Sequence, residues 1–104
     1  MAVENLTSKN FNDFVSSGVN VVDFSAEWCA PCKVMKPIFE ESSSEGGDFK
    51  FGAVDIDKDG DLAQKFGVMS VPTLIFFKDG EQVDRVTGVM QKDEILRKTE
   101  EISK

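Results

Sequence analysis

Histidine is absent from this chain of 104 residues, and cysteine is nearly so, with two. Without His, Ser-His-Asp and Cys-His catalysis are excluded, and two Cys alone cannot complete a four-ligand structural zinc site. Neither GxGxxG nor GxxxxGK[ST] occurs, so a nucleotide cofactor has no recognisable cradle; neither metal nor cofactor is expected. Positive charge is also scarce: 12 Lys and Arg stand against 19 Asp and Glu, a formal charge of −7. With no basic cluster or aromatic-basic stripe, a nucleic-acid partner is not expected. No apolar run approaches the ~18 residues of a membrane helix. Residues 1–18 lack the basic start and ~7–15-residue apolar stretch of a secretory signal. A cytoplasmic protein that does not enter membranes is the simplest expectation.

What remains is the pair of cysteines, two residues apart in Glu27-Trp28-Cys29-Ala30-Pro31-Cys32-Lys33. The apolar run Val19–Phe24 before them reads as a buried strand. Val34, Met35, Ile38 and Phe39 after them share one helical face. A Cys-x-x-Cys at a strand-to-helix junction reads as a redox pair. Unpaired N–H groups and the positive end of the helix dipole favour a thiolate on the first sulfur. The two sulfurs can close into a small disulfide and reopen, a reversible two-electron switch.

The length suits one domain with a single core, residues 1–104. Thr7 is a candidate N-cap, with Leu6 and Phe11 as a hydrophobic staple; Phe11, Phe14 and Val15 mark the inner face of a first helix ended by Gly18. Strand Val19–Ser25 follows, then a helix from about Cys29 to Ser43 that contains Pro37, with Gly46-Gly47 as its exit. Phe49–Ile56 reads as strand and Leu62–Phe66 as a short helix. Thr73–Phe77 and Gln82–Thr87 flank Asp79-Gly80, a hairpin signal. Ile95, Thr99 and Ile102 recur at helical spacing near the end. An edge strand is expected near Ala2–Glu4. Alternation in the first half implies parallel pairing through right-handed crossovers, and the hairpin adds an antiparallel pair. The expected class is α/β, a mixed central sheet with helices on both faces.

Several spaced motifs resemble the thioredoxin family over essentially the whole chain. They are Val22-Asp23-Phe24, Ala26-Glu27-Trp28-Cys29-x-Pro31-Cys32-Lys33, Pro37, Val54-Asp55-Ile56-Asp57, Phe66-Gly67-Val68, Val71-Pro72-Thr73-Leu74, Phe77-Lys78-Asp79-Gly80 and Gly88. The resemblance implies a thioredoxin fold, reduction of disulfide-containing protein substrates and recharging by a thioredoxin reductase; a monomer is expected, though the sequence itself says little about oligomeric state. Three residues depart from the common pattern. Ala30 stands where Gly is usual between the cysteines, which stiffens the loop slightly. Ser25 stands where many relatives have a second Trp. Ala53 stands where the best-known members place a Lys close to a buried Asp, and its loss removes a cation that would lower the acid's pKa.

Cys29 is the expected nucleophile, attacking a target disulfide to give a mixed disulfide. Cys32, one turn into the helix, is the expected resolving thiol and should be the more buried of the two. Asp23, set among Val21, Val22 and Phe24, should be desolvated and raised towards neutrality, which suits a general base acting on Cys32; the plainer alternative is a solvated Asp on an edge strand. Pro31 has no N–H to offer the Cys29 sulfur, and a dipeptide without His favours a reductant over an oxidant. From the residues alone, Pro72 reads equally as a trans-Pro opening a strand or a cis-Pro. The resemblance implies the cis form, with the Val71 backbone free to pair with an extended peptide. Trp28, Ala30, Pro31, Met69, Ser70, Gly88 and Val89 would then form a partly apolar docking surface.

Asp55-Ile56-Asp57-Lys58-Asp59-Gly60 matches the first half of an EF-hand loop, but the position that needs a bidentate Glu is Phe66 and a strand, not a helix, leads in. Two other functions are open to this chain: a disulfide oxidant or isomerase, and a binding subunit that uses the fold with idle thiols. The missing signal and missing His weigh against the first, the intact pair with Asp23 and Pro72 against the second.

Overall fold

The computed structural model describes residues 3–104, and its elements follow the apolar periodicity closely. In chain order they are β1 (Val3–Asn5), α1 (Phe11–Val15), β2 (Val19–Ser25), α2 (Ala30–Glu45), β3 (Lys50–Asp55), α3 (Gly60–Lys65), β4 (Thr73–Lys78), β5 (Glu81–Thr87) and α4 (Lys92–Ser103). The sheet order is β1-β3-β2-β4-β5. β3 runs parallel to β1 and β2; β4 runs antiparallel to β2 and β5. This is the thioredoxin fold. The Ala2 end of the expected edge strand lies outside the described residues.

β2 is the middle strand, so it is covered on both faces and reads as a nearly continuous apolar run. Its alternation divides the core. Val22 and Phe24 point to the side of α1 and α3, with Phe11, Leu62 and Phe77. Val21 points to the side of α2 and α4, with Met35, Phe39 and Ile95. Asp23, two residues from Val21, therefore faces α2.

The start of α1 differs from expectation. Thr7 does not cap the helix; Asn10 occupies that position. A turn intervenes because the Thr7 carbonyl accepts from the N–H groups of Asn10 (3.2 Å) and Phe11 (3.0 Å), while Asn10 Oδ1 accepts from the Thr7 N–H at 2.7 Å. Leu6 and Phe11 are still buried together. Asp79 and Gly80 both have positive φ, 50° and 89°, as a two-residue hairpin of this handedness requires. The turn is tied to the loop before β2: Asp79 Oδ1 accepts from the Gly18 N–H at 2.8 Å, and the Asp79 N–H donates to the Gly18 carbonyl at 3.0 Å. Opposite β4, β5 carries one extra residue, Val83, since Phe77 pairs with Gln82 and Phe76 with Asp84.

Candidate active site

The end of β2 delivers Cys29 to the start of α2. Cys29 is the N-cap, extended at φ −90°, ψ 114°, and Pro31 follows in the first turn, where a missing N–H costs no helical hydrogen bond. Cys29 and Cys32 are joined as a disulfide with Cα atoms 5.2 Å apart. Pro31 offers the sulfur nothing, but the Cys32 N–H donates to Cys29 Sγ at 3.2 Å. The capping sulfur thus sits where orphan N–H groups and the helix dipole favour negative charge. One expectation fails. Cys32 is not the more buried cysteine, because both are 5% exposed: Ala26 covers one side, with Ile56 and Val71 packed against the cluster. The sulfurs differ in their partners instead.

Asp23 is 4% exposed, and desolvation pushes its carboxyl up to about 7. The edge-strand alternative is thereby excluded. Register explains why nothing opposes the shift: Asp23 lies opposite Ala53 on β3 and Leu74 on β4, neither able to supply a charge or a donor. Among the described residues its Oδ1 has no hydrogen-bond partner. Asp23 and Cys32 line one groove of about 740 Å³, with Lys36, Glu40 and Ala53 also on its wall.

On the opposite side of the disulfide, Cys29 Sγ lies 3.5 Å from the Val71 carbonyl oxygen. The Val71–Pro72 peptide bond is cis. Pro72 itself is buried, and its carbonyl accepts from the Gly88 N–H at 2.8 Å, which ties Gly88 to the residue that follows Val71. Ser70 is exposed, its carbonyl accepting from Thr73 Oγ1 at 2.7 Å. Ala30 and Pro31 are exposed on the first turn of α2. Trp28 (68% exposed) and Met69 (95%) project into solvent.

Sequence reasoning misses Asp57, whose Oδ2 accepts from Trp28 Nε1 at 2.8 Å. Along the chain it is only one more acid in a solvated run. The signal that could have found it is topological: Asp57 follows β3, which pairs with the strand that ends just before Trp28. The other acids of that run serve backbone donors, Asp55 Oδ1 accepting from the Asp57 N–H at 2.9 Å and Asp59 Oδ1 from the Ser8 N–H at 3.3 Å.

Comparison with known proteins agrees with this arrangement. The thioredoxin family model matches residues 2–101. Thioredoxin from Chlamydia caviae is 44% identical over 91% of this chain and 93% of its own length. Thioredoxin from Staphylococcus saprophyticus is 47% identical over 91% and 92%. The solved structure of a mutant thioredoxin from Halobacterium salinarum superimposes with a TM-score of 0.91 at 33% identity, covering 98% of this chain and 91% of that one. A dithiol switch at a helix start, carried on this sheet order and matched along nearly its full length, has one reading: the chain belongs to the thioredoxin family and is a thiol-disulfide oxidoreductase that reduces protein disulfides.

Proposed function

We propose that the two thiols and Asp23 divide the chemistry of protein-disulfide reduction as follows. In the reduced protein, Cys29 is the nucleophile. Its thiolate is favoured by the Cys32 N–H and the first turn of α2, and attacks one sulfur of the target disulfide. A Cys29–substrate disulfide forms and the other target sulfur leaves as a thiolate. Asp23, whose raised pKa of about 7 lets it exchange a proton near neutral pH, takes the Cys32 proton within the shared groove. The Cys32 thiolate then attacks Cys29 Sγ. The intramolecular disulfide closes, and the second target sulfur departs with a proton. Two electrons have moved from the protein to the substrate.

The substrate docks as an extended peptide on the Val71 backbone, between Trp28, Ala30 and Pro31 on one side and Ser70, Pro72 and Gly88 on the other. The observation that most supports this reading is the Cys29 sulfur, capped by a backbone N–H on one side and flanked by the Val71 carbonyl on the other. A thioredoxin reductase returns the electrons, the protein works as a monomer in the cytoplasm, and neither nucleic acid nor a membrane takes part. No described helix is long and apolar enough to cross a membrane.

The midpoint potential of the Cys29–Cys32 couple tests the direction of electron flow. A value near ~−270 mV, the figure known for thioredoxin itself, supports the reductant; one between ~−180 and ~−120 mV would make the protein an isomerase or oxidant instead.

A further inference from the structure

The segment Val68–Val71, which carries the docking backbone, is held from both ends by side chains that make no hydrogen bond to either cysteine. At its C-terminal end the brace is the Thr73 hydroxyl, which donates to the Ser70 carbonyl at 2.7 Å. At its N-terminal end it is Arg85 on β5. α3 finishes its own ladder: Phe66, Gly67 and Val68 donate N–H groups to the carbonyls of Leu62, Gln64 and Ala63 at 3.2, 3.1 and 2.8 Å. That leaves the Phe66 and Gly67 carbonyls pointing on from the helix end, and the Arg85 guanidinium takes both. Nη1 donates to Gly67 at 3.3 Å, and Nη2 donates to Phe66. The cation also sits at the negative end of the helix.

The extra residue Val83 makes this reach possible. On a regular strand, residues 82 and 85 would face opposite ways. The bulge restores them to one side, so Gln82 Oε1 accepts from Arg85 Nη2 at 3.3 Å and holds the guanidinium plane. Arg85 also lies opposite Ile75, whose side chain belongs to the α1–α3 face of the core, and so is aimed at α3. Phe66, between these carbonyls and the core, packs on Phe11, Phe24 and Phe77. The anchor is therefore seated on the core.

We infer that Arg85 is a positioning residue for protein substrates: its two-carbonyl clamp on Phe66 and Gly67 fixes where the Val68–Val71 backbone meets an incoming extended peptide. The inference rests on the docking reading above. Arg85 touches neither sulfur, so it governs recognition and leaves thiol chemistry alone. A small disulfide that needs no backbone docking does not sense it.

The test compares steady-state reduction of insulin with single-turnover reduction of hydroxyethyl disulfide. Arg85→Met is expected to raise KM for insulin roughly three- to tenfold with kcat little changed, as the docking-competent loop population falls. The hydroxyethyl disulfide rate and the midpoint potential stay as in the parent. Arg85→Lys, which keeps the charge but not the planar fork, recovers only part of the loss; should Arg85→Met not fold, this variant carries the same comparison. A KM unchanged alongside a lowered Tm, or full recovery by lysine, overturns the clamp. Met69→Asp, on a side chain wholly in solvent, separates the two ideas. If it raises KM for insulin while Arg85→Met does not, the clamp falls and docking stands. If neither variant alters KM, both fall.

Discussion

The carboxyl proposed to take the Cys32 proton is costly to the fold when it is charged. Asp23 is raised from its ordinary 3.8 to about 7 by burial, so the folded protein binds this proton more tightly than the unfolded chain does. Stability from the protonated carboxyl is full below about pH 4, is lost as pH rises towards 7, and is then gone. The difference between the two limits is on the order of 4 kcal/mol. Asp23→Asn should flatten the stability curve between those pH values and gain a few kcal/mol at about pH 8, measured by urea denaturation. The same variant should slow release of the mixed disulfide while leaving attack by Cys29 nearly unchanged. Unchanged release in single-turnover experiments would assign the Cys32 proton to another acceptor. Cys32→Ser should trap covalent substrate adducts, and Cys29→Ser should abolish reduction; faster alkylation of Cys32 than Cys29 in the reduced protein would reverse the two roles. These residues were legible because each is chemically odd for its place: the only cysteines, and a carboxyl inside an apolar run. Asp57 was not legible, because an acid among acids acquires its role from an indole that only the fold brings near.

At the level of elements, strand register decides what Asp23 feels. Ala53 is its direct neighbour across the β2–β3 pair, so Ala53→Lys would place a cation on the same face. Its expected effect is to lower the Asp23 pKa below the present value of about 7. Carboxyl chemical shifts followed through a pH titration read this directly, and an unmoved midpoint would mean the lysine turns into the groove and stays solvated. The hairpin offers a second check. Gly80 has φ 89°, and Gly80→Ala forces a side chain into that conformation at a cost of about 1–2 kcal/mol, visible as a lower denaturation midpoint with an unchanged slope. Strand and helix order was readable from periodicity, and the Asp-Gly turn from composition alone. The start of α1 was not, since Thr7 and Asn10 are both good caps and only their mutual hydrogen bonds select between them. The bulge at Val83 was equally hidden, because nothing in Gln82-Val83-Asp84 marks an insertion until the partner strand supplies the register.

Taken whole, the molecule ends its sheet in β1 on one side and a charged, bulged β5 on the other. Three residues of β1 lie among the described residues, and β5 bears Glu81, Asp84 and Arg85 around its bulge, where charge and a bulge discourage edge-to-edge pairing between copies. Sedimentation at rising concentration should accordingly give a single monomeric species, and a concentration-dependent increase in mass would show that copies of the chain associate. Trp28 has a further consequence. It is the single tryptophan of a chain without tyrosine, and it stands 68% exposed. In most proteins intrinsic emission watches the interior, shifting to the red as a buried indole meets water. Here the indole is already wet and the core, built on phenylalanine, is optically dark. Emission should barely change colour on denaturation, yet move to the blue when a partner covers the tip, making this protein's own light a gauge of encounter and not of folding.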